Sequence, residues 1–281
     1  MSFSSEVKEE LSKLNSFGNL NLLYAELYGY ILSGNTKIVK DKVSFSTNSE
    51  YNINRFGKML SKINIDYKIK LQGKNYVITF NRELLNFQHI KLDSTEEKRA
   101  VIRGAFMGGG SINNPDNKYH LEITFNSEEN QKIIQDIISE FDIITKSLDR
   151  KSGYSLYIKE GEIISNFLAI IGANTAVIRY EEIRVIKDKR NNINRIVNCE
   201  TANLNKTISA SVLQVQAIKL LKSKKKFEEL SDDLKEIAEL RLANPDANLV
   251  ELGQMLDTPI GKSGANHRLN KILKIAEELK K

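Results

Sequence analysis

Residues 103–111, Arg-Gly-Ala-Phe-Met-Gly-Gly-Gly-Ser, end an apolar helical stretch with three glycines and pass straight into strand-like sequence. An earlier stretch, Leu27 to Asn35, has the same design, and its Gly29 and Gly34 stand 75 positions before Gly104 and Gly109 (104 less 29). Downstream, Thr47-Asn48-Ser49-Glu50-Tyr51-Asn52 matches Phe125-Asn126-Ser127-Glu128-Glu129-Asn130 at an offset of 78 (125 less 47), so the second copy has gained a few loop residues. An internal duplication restricts the fold more than any single motif does. Small residues on a helix let a second backbone approach closely, so the two glycine helices are expected to pack together across an approximate twofold axis.

The sequence between these landmarks gives the element order. Val7, Leu11 and Leu14 define an amphipathic helix over residues 1 to about 20, ended near Gly18, and a second helix runs from about Leu22 to Ser33. Thr36–Val39 and Lys42–Thr47 alternate as a hairpin turned at Lys40-Asp41, and Ile53, Phe56, Leu60 and Ile63 have helical spacing. Strands Ile65–Gln72 and Asn75–Phe80 follow, joined at Gly73-Lys74, with a closing helix near Arg82–Phe87. The second copy runs the same way: a helix from Thr95, strands around Ile112 and Tyr119–Asn126, a helix Glu128–Phe141, then strands Ile144–Arg150 and Tyr154–Lys159. Helices to about Ile171 and over Asn174–Ile186 close it. The fold class predicted is α+β, with a two-repeat αββαββα domain over residues 1–187 whose repeats cover about 20–90 and 94–187.

At Asp188 the pattern changes. Residues 189–207 are rich in asparagine, whose side chain competes with the backbone for hydrogen bonds, so 188–230 reads as a linker followed by a helix over Ser209–Leu221. Lys222–Lys226 reads as a solvated helix end. The lone Cys199 excludes an internal disulfide framework and reads as a small packing residue. Three scattered histidines, His89, His120 and His267, offer no zinc spacing, so neither a metal nor a cofactor is expected. The N-terminus lacks the pattern of a signal peptide and no apolar run is long enough to span a bilayer, so the expected setting is cytoplasmic and nucleoid-associated, without membrane contact.

Residues 231–281 form a compact trihelical pattern: Asp232–Ala243, then Leu249–Leu256, then a helix capped by Gly261 or Ser263 and running to about Leu279. Gly253 takes the close-contact position in the first helix of a helix-turn-helix pair, and Ala265 an apolar position in the second. The outward face of the last helix carries Lys262, Ser263, Asn266 and His267, with Arg268, Lys271 and Lys274 beyond them and no acidic residue between Lys262 and Lys274. In this geometry the first four are the candidate base readers, and Arg268, Lys271 and Lys274 the candidate phosphate contacts. A module that contacts protein would have the same bare pattern.

A net charge of +6 and a pI near 9.1 favour an anionic partner, though the excess is small for 281 residues. The strands alternate so that Lys42, Lys68, Lys70 and Lys159 fall on polar faces, which are either solvated sheet surface or supplementary contacts to double-stranded DNA.

The repeated glycine helices resemble the LAGLIDADG homing-endonuclease fold, in which the last acidic residue of each interface helix holds a divalent metal beside the scissile phosphate. The corresponding positions are Gly34 and Gly109, which supply no oxygen ligands, so the resemblance implies a kept scaffold and a lost metal centre. With residues 103–111, 194–206 and Lys262-Ser263-Gly264-Ala265-Asn266-His267-Arg268-Leu269, nearly the whole chain resembles the WhiA family of bacterial DNA-binding regulators of sporulation and cell division. That family usually keeps an acidic residue where this chain has Gly34. The resemblance implies a non-catalytic, sequence-specific DNA-binding protein that regulates transcription in cell division and chromosome segregation, or sporulation in spore formers. An architectural or protein-binding adaptor with partners in transcription or division is the alternative. A residual metal-dependent endonuclease would need carboxylates elsewhere, such as Glu26 or Asp116.

Overall fold

The computed structural model describes residues 2–15, 17–84, 92–150 and 153–279. Two compact units divide the chain at Lys189/Arg190. In the first, helix α1 (Phe3–Ser12) precedes two copies of one design. The first copy is α2 (Leu20–Leu32), β1 (Thr36–Val39), β2 (Lys42–Thr47), α3 (Glu50–Lys62), β3 (Tyr67–Gln72) and β4 (Asn75–Asn81). The second is α4 (Thr95–Gly109), β5 (Gly110–Ile112), β6 (Leu121–Phe125), α5 (Glu128–Ser139), β7 (Lys146–Arg150), β8 (Gly153–Ile158) and α6 (Gly161–Ile171). Each copy makes one antiparallel four-stranded sheet, and the strand orders match: β1-β2-β4-β3 and β5-β6-β8-β7.

The duplication shows at atomic detail where α2 and α4 cross. A methyl group on Gly29 would strike the carbonyl oxygen of Val101, and one on Gly104 would strike that of Glu26, which are equivalent positions in the two copies. The amide of Asn52 on α3 donates to the Met107 carbonyl (2.7 Å), and that of Asn130 on α5 to the Leu32 carbonyl (3.1 Å). Both pairs are related by the sequence offsets, so the contacts are reciprocal across the expected twofold. Ser49 and Ser127 cap α3 and α5 in the same way, each accepting from the backbone N–H three residues on.

Several boundaries differ from the sequence reading. Helix α1 stops at Ser12, and Leu14 packs from the loop beyond it. The closing helix read near Arg82–Phe87 begins as a 3-10 turn over Arg82–Leu84; residues 85–87, like His89, lie outside the described residues. The larger correction concerns residues 188–207, read as a linker. They are helical, part of α7, which runs unbroken from Asn174 to Ser223. That span contains neither glycine nor proline, and the preference of asparagine for non-helical backbone is only a few tenths of a kcal/mol per residue. Packing holds both ends. Glu10 accepts from the N–H groups of Thr175 (2.7 Å) and Ala176 (2.9 Å), while Ala217, Ile218 and Leu221 enter the core of the second unit. Cys199 is exposed on this helix, where its Sγ accepts from the Asn203 amide at 3.8 Å, correcting the expectation that it is a small packing residue.

The second unit joins the end of α7 to α8 (Asp232–Ala243), α9 (Leu249–Gln254) and α10 (Lys262–Glu278). Its core is Ile218, Leu221, Ile237, Leu252, Leu269 and Ile272 among others.

Candidate nucleic-acid interface

Helices α9 and α10 are joined by residues 255–261, which fold back so that the Ile260 N–H donates to the Gly253 carbonyl at 2.9 Å. A Cβ on Gly253 would overlap the Ile260 carbonyl oxygen, so glycine is required by the close approach of the turn. Asn248 and Glu251 form a reciprocal capping box that fixes the start of α9. Helix α10 starts at Lys262, with Gly261 as N-cap and no side chain bonded to its first turn, which settles the choice between Gly261 and Ser263. No side chain of its own therefore caps the start of α10, and an uncapped helix N-terminus suits an anion.

Ala265, Leu269, Ile272 and Ala276 are buried, and they set the rotation of α10. Ser263, Asn266, His267, Lys271 and Lys274 then fall at helical spacing on the opposite, exposed face, with Lys262 at its edge. Asn270 belongs to the same row and was not singled out from sequence, although its position four residues after Asn266 carries the signal. Arg268 does not join this row. It is half-buried on the flank, its Nε 3.5 Å from Asp233 of α8. Ser231 first, and then Arg268, hold the Asp233 carboxyl below the usual carboxylate range.

The sheets present a second polar surface. In the first sheet, register places Lys37, Ser44, Thr79 and Lys68 in one cross-strand row, with Lys42 beside Asn81 and Lys70 beside Val77. These side chains lie opposite the buried Val43, Phe45, Ile78 and Phe80, and no carboxylate shares their rows. Lys37 extends the predicted set of Lys42, Lys68 and Lys70, and the alternation of β1 could have shown it. The second sheet differs. Its open row is Ser111, Glu122, Tyr157 and Lys146, with His120 3.5 Å from Glu122. Lys159 lies just past β8, its ammonium 5.0 Å from the Tyr157 ring centre.

Gly34 and Gly109, read from sequence as a former metal pair, lie side by side against Thr124 of β6. An ideal Cβ at Gly109 would fall 2.6 Å from Thr124 O and strike the backbone of β6, while one at Gly34 would fall 2.7 Å from Thr124 Oγ1 and meet its hydroxyl first. Gly34 is instead held by its own N–H, which donates to Thr124 O at 2.7 Å. Among the described residues, no group of three or more His, Cys, Asp or Glu is placed to hold a metal ion. Glu26 is fully buried and its carboxylate is engaged by Arg55 Nε (2.5 Å), Arg55 Nη2 (2.8 Å) and Arg103 Nε (3.1 Å). Burial alone would raise the Glu26 carboxyl, but the two guanidiniums outweigh it and hold the group below its ordinary range. Asp116 is exposed in the loop before β6, its N–H bonded to Asn114 Oδ1.

A duplicated α/β domain with glycine-packed interface helices, followed by a helix-turn-helix unit, defines a LAGLIDADG-like protein with a helix-turn-helix module. Family models agree with both parts: the WhiA LAGLIDADG-like domain matches residues 98–190, and the WhiA C-terminal HTH domain matches residues 193–276. The chain belongs to the WhiA family. The probable cell division protein WhiA of Clostridium beijerinckii is 56% identical over 65% of this chain, an alignment that spans 58% of that protein. Its counterpart in Clostridium tetani is 44% identical over 89% of this chain and 78% of its own length. The crystal structure of full-length DUF199/WhiA from T. maritima is 30% identical with a TM-score of 0.62, covering 99% of each chain. No helix among the described residues is long and apolar enough to cross a membrane.

Proposed function

We propose that the chain is a non-catalytic, sequence-specific DNA-binding regulator of transcription acting in cell division and chromosome segregation. The observation that carries this reading is the exposed face of α10, where Ser263, Asn266, His267, Asn270, Lys271 and Lys274 form one row without a carboxylate. Lys262, Ser263, Asn266 and His267 read base edges from the first turns of α10. Lys271 and Lys274 neutralise phosphates, with Arg268 adding its charge from the flank. The open face of the first sheet, through Lys42, Lys68 and Lys70, supplements the grip on the duplex backbone, with Lys159 a further candidate on the second sheet.

Binding to a genomic target duplex, followed by fluorescence anisotropy across a salt series, tests this reading. Lys271→Ala should weaken binding to target and random duplexes alike and lower the salt slope by about one. Asn266→Ala should cost roughly 1–3 kcal/mol and relax preference at one base pair. Unchanged binding in both variants would refute the assignment. Supercoiled DNA incubated with magnesium or manganese should stay intact; nicking by the purified chain would return the metal-dependent reading.

A further inference from the structure

From Lys189 to Lys206 helix α7 is exposed on every side. A helix surrounded only by water gains nothing from an apolar stripe, yet this one has such a stripe. Ile193, Val197, Leu204 and Ile208 are 60, 52, 60 and 50% exposed, and they are spaced four, seven and four residues apart. One further step of seven reaches Ile186 on one side and Val215 on the other. Alternating fours and sevens make an 11-residue repeat, about 3.67 residues per turn, so the stripe runs nearly straight along the helix. Apart from Ile196, which is 59% exposed beside the stripe, the surrounding surface is mostly polar, with Asn191, Asn194, Arg195, Asn198, Asn205 and Lys206. The stripe stays exposed up to Ile208; one seven-residue step beyond Leu204, Ser211 is buried where α7 enters its own unit.

We propose that residues 193–208 of α7 pair antiparallel with the same stretch of a second copy of this chain. The spacing reads identically in reverse. With a twofold axis between residues 200 and 201, Ile193 meets Ile208 of the second copy and Val197 meets its Leu204, so all four apolar side chains find apolar partners. Charge selects the direction. A parallel pair in register would set Lys189 and Arg190 beside their own copies, whereas the antiparallel pair sets them opposite the uncharged residues around 211. A helix pair of this length buries about 1,000 Å² in total, the low end for a specific interface, so association belongs in the micromolar range. One residue opposes it: Glu200 flanks the stripe next to the axis and lies close to its own copy. The pairing does not depend on the DNA-binding reading.

Sedimentation equilibrium of the full chain tests the pairing, and the stripe's exposure lets its residues be changed without disturbing a core. The wild-type chain should show a concentration-dependent monomer–dimer equilibrium. Val197→Glu with Leu204→Glu should weaken it at least tenfold at unchanged helicity by circular dichroism, and Glu200→Gln should tighten it severalfold. Direction is read by cross-linking in a Cys199→Ser background. Val197→Cys together with Leu204→Cys should form a disulfide-linked dimer under mild oxidation, since two cysteines seven residues apart on one helix are too distant to join each other. Val197→Cys alone should not. A chain that stays monomeric at about 100 µM, a dimer indifferent to the double glutamate variant, or cross-linking through Val197→Cys alone would each overturn the proposal.

Discussion

Glu26 has a buried carboxylate shared by two arginines, and its neighbours explain the ion pair. Arg55 also donates to the carbonyls of Ser12 (3.2 Å) and Leu14 (2.8 Å), while Arg103 donates to Ile171 (3.2 Å). The cluster therefore ties α1, α2, α3, α4 and α6 together. Glu26→Gln leaves two guanidiniums without their counter-charge and should destabilise the first unit by about 3–5 kcal/mol in chemical denaturation. The pH dependence has a definite sign. Because the folded carboxyl titrates below its unfolded value near 4.5, its contribution is full above that value and falls as pH drops through the folded one. The wild-type chain should thus lose stability below about pH 4.5 more steeply than Glu26→Gln does; parallel curves would remove Glu26 from the account. Gly104 acts at the same crossing. Gly104→Val should separate α2 from α4 and abolish folding of the first unit, read as lost near-UV dichroism.

Among the elements, α7 and α10 carry the functional argument for different reasons. In α10, burial of Ala265, Leu269, Ile272 and Ala276 fixes which residues face outward. That rotation was legible in the apolar spacing, and with it the exposure of Lys262, Ser263, Asn266 and His267. Arg268 was less legible. Its charge suggested a place in the outward row, but its partner Asp233 lies 35 residues away in sequence, and no local pattern announces it. In α7 the asparagines pointed to an irregular linker, since local propensity is all that a sequence window displays. The helix persists because its ends are held by packing. Asn192→Ala and Asn198→Ala, away from the apolar stripe, should therefore each stabilise α7 by roughly 0.5 kcal/mol. Far-ultraviolet melting of the double variant would show this as a raised helix signal at intermediate temperature, and a lowered one would contradict it.

At the scale of the molecule, the first unit is a duplicated scaffold whose two sheets have diverged in charge. The first keeps Lys37, Lys42, Lys68 and Lys70 without a carboxylate in their rows, while the second carries Glu122. Any sheet contact to DNA should accordingly be one-sided. Reversing Lys68 and Lys70 to Glu should reduce affinity for duplex in low salt several times more than Lys146→Glu with Lys159→Glu; equal losses would argue against that asymmetry. The two units also have separate apolar cores, one built around Phe45, Phe56 and Phe106 and the other around Ile218, Ile237 and Leu269. Differential scanning calorimetry should show two transitions, of which Glu26→Gln lowers one only.

The sequence by itself determined the duplication, the order of strands and helices, the trihelical end and the outward face of α10. All of these follow from period, spacing and chain-local chemistry, which neighbours along the chain record directly. The tertiary structure alone decided that Glu26 answers Arg55 and Arg103, that Thr124 fills the space beside Gly34 and Gly109, and that α7 continues through its asparagines. Those outcomes depend on groups brought together from distant parts of the chain, where burial and close contact outweigh propensities of a few tenths of a kcal/mol per residue.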